Sequence, residues 1–288
     1  MNQLLSQHVP MPLTLDRLAI NQATTRGAWS HQQSLEGYAR HGITCVTLWR
    51  NEVAEIGVKA TCALLNDLNM TVAGVNRIGP VFDEDGTPSP EFIDDAKRGI
   101  EAAAELRADN LMFFPGTSLP HNNDLAGARA RVRDCLFEVL PLAQSAGVQL
   151  TLEPLHPMIA GDRSCLNTMK QCNDLCDEAA GDFASNLGIV VDVYHVWWDA
   201  ELQAEIQRAG SGRLAGFHIS DWRVPTRDLL KDRGMIGDGV IELRKIRGWM
   251  ERAGYVGPVE IEIFSDHWWQ QDPEYTTETA IARALEHA

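Results

Sequence analysis

Four side chains that can bind a metal ion or transfer a proton each follow, or end, a short run of β-favouring apolar residues. They are Glu153, Asp192, His218 and Glu262. A carboxylate at such a position is costly to bury unless it meets a cation, a metal or a proton. Three carboxylates and one imidazole form a hard to borderline ligand set, which suits Mn²⁺, Mg²⁺ or Co²⁺ better than a metal that prefers thiolates. If the four strand ends meet, the sequence predicts one site for a divalent metal ion.

The elements that would bring these side chains together alternate between strand and helix. β-favouring runs predict strands at 17–24, 43–49, 70–75, 110–114, 187–192, 214–218 and 259–264, with a further strand that ends at residue 153. Helical periodicity and capping residues predict helices at 34–41, 55–68, 90–108, 124–146, 166–180, 199–209, 241–253 and 274–287. Eight strand-helix units close into a barrel whose active site lies at the carboxyl ends of the strands. We therefore expect an α/β protein with one (β/α)8 TIM barrel domain over residues 1–288, in which residues 1–16 form an N-terminal arm.

The composition of the chain limits which kinds of molecule we expect it to bind. The 288 residues include 40 acidic and 25 basic side chains, which gives a formal net charge of −15. This charge repels nucleic acids and anionic membranes, and it favours a small neutral or metal-chelating substrate. We find neither a long apolar run nor a charged-then-apolar leader, and we expect a cytoplasmic protein. The six cysteines are scattered without a C-x-x-C pair, which predicts reduced thiols.

Several motifs together resemble one known family. They are Leu-Glu-Pro-Leu-His-Pro (152–157), Val-Asp-Val-Tyr-His (191–195), Phe-His-Ile-Ser-Asp (217–221), Gly-Asp-Gly-Val-Ile (237–241) and Gly-Pro-Val-Glu-Ile-Glu-Ile-Phe (257–264). The set is similar to the sugar phosphate isomerase/epimerase family of xylose isomerase-like TIM barrels. The resemblance implies that Glu153, Asp192, His218 and Glu262 bind one divalent metal ion, with Mn²⁺ as the first choice and Mg²⁺ or Co²⁺ as alternatives. It also implies that the two glutamates act as the acid/base pair.

The expected chemistry is proton transfer next to a carbonyl group. A divalent metal ion held by a carbonyl oxygen and the neighbouring hydroxyl stabilises the enediolate that forms when the α-proton leaves. Two carboxylates on opposite faces of that carbon can invert it, whereas one carboxylate favours isomerisation or elimination. Because we find no glycine-rich phosphate loop, we expect an isomerase or epimerase of a non-phosphorylated keto-sugar or inosose.

Five further residues are candidates near the predicted site, and each has two interpretations. His156 either hydrogen-bonds behind the ligands or takes part in acid/base catalysis. His195 contacts a substrate oxygen or caps a helix, and Arg223 binds substrate or forms a surface ion pair. Asp221 orients the strand-seven histidine or the substrate, or else caps a loop. Trp49 stacks on the apolar face of a sugar or packs under a loop.

Departures from the family pattern keep other functions open. The epimerases carry a glutamate shortly after the strand-five ligand, where this chain has His156-Pro157-Met158. Because of this difference, a lyase that acts on oxidised sugars is the second hypothesis. A DNA-repair endonuclease of the same fold would need three zinc ions and additional histidines. Strands two to four end instead in Trp49, Arg77 and Phe114, and the loop after strand seven has Asp232-Arg233-Gly234 in place of Asp-x-His. A catalytically silent sugar-binding protein is a further alternative.

The quaternary structure is the least determined feature. Tryptophan pairs at 197–198 and 268–269 follow strands six and eight. Aromatic loops over a barrel mouth are typical of subunit interfaces, although such residues also pack within a subunit. We expect a homo-oligomer, either a dimer or a tetramer.

Overall fold

Eight parallel strands form a closed barrel in the computed structural model, which describes residues 11–288. The strands are β1 (Leu18–Asn21), β2 (Cys45–Trp49), β3 (Thr71–Ile78), β4 (Leu111–Phe113), β5 (Leu150–Leu152), β6 (Leu187–Asp192), β7 (Leu214–Ile219) and β8 (Val259–Ile261). Each strand pairs with its neighbours in the sequence, and β8 closes the barrel by pairing with β1. The predicted single (β/α)8 barrel is confirmed.

Ten α-helices accompany the strands within the described residues. They are α1 (His31–Arg40), α2 (Arg50–Val53), α3 (Val58–Asp67), α4 (Phe92–Glu105), α5 (Leu125–Ser145), α6 (Met169–Glu178), α7 (Val193–Val196), α8 (Leu202–Arg213), α9 (Leu243–Arg252) and α10 (Pro273–His287). Short 3-10 helices lie at Leu15–Arg17, Gln22–Thr25, Pro157–Ile159 and Trp268–Gln270. All eight predicted helices are present. The single turns α2 and α7 were not predicted, because four residues are too few to show a helical period.

Local sequence explains where the long helices begin and end. Asp124 caps α5 by accepting a hydrogen bond from the backbone N–H of Gly127 at 2.8 Å. Ser30 and Thr168 form capping boxes at the starts of α1 and α6. Gly147, at φ +69°, follows α5 in a conformation that residues with a side chain rarely adopt. These helix limits could therefore be predicted from the sequence.

Burial explains the apolar runs of the strands. β6 is buried along its whole length, because the barrel interior covers one face and the helices cover the other. No helix within residues 11–288 is both long and apolar enough to cross a membrane.

The strand limits and one loop differ from the prediction. β3 continues to Ile78 and so includes Arg77, whereas β8 already ends at Ile261. The glycine-rich loop after β7 contributes one strand of a small antiparallel ribbon, in which Asp221–Trp222 pairs with Arg233–Gly234. Most of the predicted arm (1–16) lies in residues 1–10, outside the described residues, while Leu15 already begins a 3-10 helix.

Substitution of Phe113 tests the packing of the hydrophobic core between the barrel strands and the surrounding helices. It is fully buried on β4, and its ring meets Phe92 of α4 edge to face with centroids 5.7 Å apart. Phe113→Ala removes these contacts and leaves a cavity, so we expect the free energy of unfolding to fall by about 3–5 kcal/mol, measured by urea denaturation. Val256→Ala is the control, since Val256 is 85% exposed. Equal losses in both variants would contradict the buried position of Phe113.

Candidate active site and metal centre

The four predicted ligands lie together at the carboxyl ends of β5 to β8. One ligand atom from each of Glu153, Asp192, His218 and Glu262 lies within 4.8 Å of the other three, and all four residues are buried. The register of the barrel produces this arrangement, because Asp192 of β6 lies opposite His218 of β7. Four residues far apart in the sequence thus converge on one small volume.

The donor atoms of this cluster fit a divalent metal ion. Glu153 Oε1 and His218 Nδ1 are buried and have no hydrogen-bond partner among residues 11–288. Buried polar atoms without a partner are costly, and a shared cation would satisfy both. His218 Nδ1 lies 3.7 Å from Glu153 Oε1 and 3.4 Å from Glu262 Oε2, so these atoms face the same point. Oxygen and imidazole donors without thiolates suit Mn²⁺, Mg²⁺, Co²⁺ or Zn²⁺.

Glu260 and Asn21 orient the ligands from below. Glu260 Oε2 lies 3.3 Å from His218 Nε2, which directs the other ring nitrogen of His218 toward the cluster. Asn21 at the end of β1 donates to Glu260 Oε1 at 2.8 Å and to Glu262 Oε1 at 2.9 Å. Thr47 donates to the second oxygen of Glu260. Glu260 therefore has the structural role of a buried ion-pair partner.

The two candidate acid/base residues differ in electrostatic environment. Burial, and then the negative charges of Glu262 and Asp192, raise the pKa of Glu153 well above its ordinary value. Burial alone would raise the pKa of Glu262 too, but the positive charges of Arg233 and His218 outweigh it and lower that pKa. Two carboxyl groups whose pKa values move apart can serve as proton donor and proton acceptor.

Arg233 is a functional residue that the sequence analysis missed. Its Nη1 donates to Asp192 Oδ2 at 2.7 Å and to Glu262 Oε2 at 3.1 Å. Its guanidinium also lies over the rings of Tyr194 and Phe264. This buried cation compensates two of the carboxylates and fixes their orientation. A polar residue inside a glycine-rich loop shows no local signal for such a role.

Above the cluster is a cavity of about 240 Å³. Glu153, Glu262 and Arg233 line its floor, and the aromatic rings of Trp49 and Phe264 line part of its wall. A concave, largely apolar space with a few converging polar groups is the usual form of a small-molecule site.

Two of the predicted substrate contacts, His195 and Trp49, line this cavity. His195 Nδ1 accepts a hydrogen bond from the backbone N–H of His156 at 3.2 Å, and its Nε2 lies 3.2 Å from Nη2 of Arg233, which can only donate. Burial lowers the pKa of His195 to about 3, so the ring is neutral at ordinary pH. Trp49 Nε1 donates to Asn21 Oδ1 at 2.7 Å, and its ring meets Phe264 edge to face. Their contact with a substrate stays a prediction.

The other three candidates, Asp221, Arg223 and His156, are not among the residues that line this cavity. Asp221 accepts hydrogen bonds from the backbone N–H groups of Trp222, Gly237 and Ile241, and it therefore caps the loop. Arg223 pairs with Asp232 at 3.1 Å. The ring of His156 stacks on that of Trp222 with centroids 4.7 Å apart. His156 thus reaches the site through its backbone contact with His195, and direct acid/base work by its ring is not supported.

Comparison with known proteins identifies the family. The family described as "Xylose isomerase-like TIM barrel" matches residues 35–287. The chain belongs to this xylose isomerase-like family. The resemblance predicted from the motifs is therefore confirmed.

Curated relatives of this xylose isomerase-like chain include sugar epimerases. The L-ribulose-5-phosphate 3-epimerase UlaE of Salmonella typhi is 24% identical over 215 residues, which cover 74% of this chain and 68% of the relative. UlaE of Escherichia coli strain K12 is 25% identical over 236 residues, which cover 81% and 73%. These relatives share the barrel over most of both chains.

Solved structures show the same fold. Protein SMc04130 from Sinorhizobium meliloti 1021 is similar with a TM-score of 0.88 and 38% identity, covering 96% of this chain and 99% of that one. An IOLI protein solved with a binding zinc atom has a TM-score of 0.80 and 19% identity, covering 94% and 97%. A D-psicose 3-epimerase solved in the presence of D-fructose has a TM-score of 0.72 and 16% identity, covering 94% and 97%. The last two likenesses concern the fold alone.

Arg233→Met tests the compensation of charge at the floor of the cavity. Without the guanidinium, Asp192 and Glu262 repel each other in a buried site, so we expect the unfolding free energy in EDTA to fall by about 3–5 kcal/mol. Added Mn²⁺ should recover more stability in this variant than in the parent, because the ion takes over part of the compensation. Thermal and urea denaturation, each with EDTA or Mn²⁺, measure both effects. The exposed Arg252→Met is the control, and an equal loss there would contradict the role of Arg233.

Proposed function

We propose that the protein is a divalent-metal-dependent isomerase or epimerase that acts on a keto-sugar or inosose by proton transfer next to the carbonyl group. The convergence of Glu153, Asp192, His218 and Glu262 within 4.8 Å at the cavity floor carries this proposal. Similar proteins named as sugar 3-epimerases support the reaction class. The size of the cavity favours a small molecule as substrate.

In this proposal the same four residues hold the metal ion. The zinc atom of the similar IOLI protein supports a divalent ion at such a site, and the donor set of this chain also suits Mn²⁺, our first choice, as well as Mg²⁺ or Co²⁺. When bound, the ion supplies Lewis-acid stabilisation of negative charge on the carbonyl and hydroxyl oxygens of the substrate. Glu260 keeps His218 in the orientation that such a ligand needs.

The two glutamates carry the proton transfer. Glu262 accepts the α-proton, because its ion pair with Arg233 at 3.1 Å favours the carboxylate form. Glu153, the other carboxyl group that lines the cavity, returns a proton to the same carbon. Delivery to the opposite face of the carbon inverts the centre, which is epimerisation. Asn21 holds Glu262 at 2.9 Å and limits its rotation.

Other residues of the cavity bind and shield the substrate. His195, whose ring is neutral and lines the cavity, lies where it can contact a substrate oxygen. Trp49 and Phe264 offer aromatic surfaces to the apolar face of a sugar and exclude water from the reacting carbon.

The endonuclease alternative finds no support in the described residues. A three-zinc site needs more ligands than the four of this cluster, and within 11–288 no second group of three or more possible metal-binding side chains was found. The ends of β2 and β3 and the residue after β4 present Trp49, Arg77 and Phe114 to the cavity instead of histidines. The lyase hypothesis gains nothing either, since His156 does not line the cavity.

Deuterium exchange tests the proposed chemistry. We expect the metal-loaded protein to incorporate solvent deuterium next to the carbonyl of at least one keto-sugar or inosose in D₂O, as read by NMR. Glu262→Gln removes the proton acceptor, and Glu153→Gln removes the donor, so each should slow exchange or epimerisation by about 100- to 10,000-fold. Glu101→Gln, an exposed substitution on α4, should leave both rates unchanged. Deuterium exchange that continues at the parent rate in both active-site variants would contradict the acid/base assignment.

Metal removal is the second test. EDTA should abolish exchange, and Mn²⁺, Mg²⁺, Co²⁺ or Zn²⁺ should restore it to different degrees. A metal ion at 100 times its Kd should also stabilise the folded protein by about 2.7 kcal/mol, which calorimetry can detect as a higher Tm. Asp192→Asn should weaken both effects, whereas Asp199→Asn, outside the cluster, should weaken neither. Full activity in a preparation free of metal would rule out the proposal.

A further inference from the structure

Positively charged side chains without carboxylate partners line the mouth of the cavity. They are Arg77, Arg163 and Lys231. Within residues 11–288, none of the three side chains forms an ion pair, although the whole sequence carries a net charge of −15. The other two cations of the cavity are paired, Arg26 with Glu52 and Arg233 with Asp192. An acidic protein thus keeps three uncompensated cations around one small space.

Arg77 is the most informative of the three because it is partly buried. Its guanidinium carbon lies 3.5 Å from the centroid of the Phe114 ring, so the cation is held flat against an aromatic face. Its side chain makes no hydrogen bond to any described residue, although nearby Arg50 donates to both carboxylate oxygens of Asp95. A stacked guanidinium keeps its N–H edges free, and these edges match the geometry of a carboxylate or phosphate.

The electrostatic environment of Arg77 is unfavourable without an anion. Burial, and then the positive charge of Arg163, lower the pKa of Arg77 to about 10, although the negative charge of Glu153 acts in the opposite direction. Unpaired exposed lysines and arginines are common on protein surfaces, and Arg163 and Lys231 alone would carry no argument. A partly buried arginine that lines the same cavity as a second, repelling arginine is different, because an anion bound by both would relieve desolvation and repulsion.

We propose that the substrate carries an anionic group, either a carboxylate or a phosphate, which Arg77 binds at the cavity mouth with Arg163 and Lys231. This inference rests on the proposed function, because the same molecule must place its reacting carbon at Glu153 and Glu262. Arg77 and Glu153 both line the cavity, and the proposal places the anionic group of the substrate at Arg77 and its reacting carbon at Glu153 and Glu262. The substrate class is therefore a keto-sugar acid or a sugar phosphate.

The proposed substrate class includes sugar phosphates and so departs from the expectation of a non-phosphorylated substrate. That expectation followed from the lack of a glycine-rich loop, which binds phosphate through backbone N–H groups. Side chains from the end of β3, the turn after the 3-10 helix Pro157–Ile159 and the loop after β7 offer another way to bind an anion. Such a group of cations has no sequence motif.

Matched substrates test the proposal. Ketohexoses of several configurations are each supplied to the Mn²⁺-loaded protein as the free sugar, the 6-phosphate and the 6-carboxylate, and kcat/KM for deuterium exchange is measured. We expect one of the two anionic forms to exceed the free sugar by about 10- to 100-fold, the range of a charge-assisted hydrogen bond. The preferred form identifies the anion. A free sugar that reacts as fast as both anionic forms would overturn the proposal.

Variants assign the preference to Arg77. Arg77→Gln should remove it, mainly by raising KM for the anionic form, and should leave the free sugar unaffected. Arg77→Lys should retain part of the preference, and Arg252→Gln on α9 should retain all of it. Equal losses with charged and neutral substrates would assign Arg77 a structural role and contradict the proposal. If Arg77→Gln fails to fold, the double variant Arg163→Gln/Lys231→Gln, with both substitutions exposed, replaces it with the same expected loss of preference.

Binding of inorganic phosphate separates this inference from the proposed function. If no compound exchanges deuterium, the proposed function fails. Calorimetric titration of the metal-loaded protein with inorganic phosphate then tests anion binding at the cavity mouth by itself. Binding that Arg77→Gln weakens at least about 10-fold supports an anion subsite. Absent binding, or equal binding to the parent and the variant, overturns the subsite, because phosphate held only by the metal ion would not depend on Arg77.

Discussion

Repulsion between buried carboxylates is the constraint on which this site depends. Glu153, Asp192 and Glu262 meet at one end of the barrel with Glu260 directly below them, and isolated buried charges of this kind would destabilise the fold strongly. The protein compensates them with His218, which lies beside Glu153, Glu260 and Glu262, and with Arg233, which pairs with Asp192 and Glu262. The closed barrel makes this possible, because its strands hold the charged groups in fixed register while the surrounding core excludes water.

The positive charges compensate the three carboxylates to different extents, and this difference matters for the proposed proton transfer. Arg233 contacts Asp192 and Glu262 but forms no ion pair with Glu153, so the carboxyl groups differ in their tendency to bind a proton. Enolisation needs such a difference, since one group must be ready to accept a proton while another is ready to donate one. In the proposed mechanism, the residues that let the folded state tolerate the cluster are therefore also the residues that set the proton affinities of its carboxyl groups.

The proposed reaction and the proposed anion subsite lie in different parts of the cavity. The floor is built from strand ends, which are rigid and hydrogen-bonded on both sides. The mouth is built from loops and the end of β3, with Arg77, Arg163 and Lys231 as its charged groups. Loops accept substitutions without loss of the barrel, and related enzymes can thus keep one chemistry while they change substrates. The divergence of this chain from the curated epimerases, at about a quarter identity, fits such a division.

Strand-helix alternation, helix caps and the convergence of four strand-end side chains could be predicted from the sequence, because each depends on neighbouring residues and on the regular geometry of parallel strands. Tertiary structure alone decided the rest. Arg233 reaches Asp192 and Glu262 only because the ribbon folds back over the barrel, and the same fold uses the carboxylate of Asp221 to cap the loop. Arg77 faces the cavity because β3 runs to Ile78. Such contacts join residues distant in sequence, and no local pattern encodes which side chains will meet.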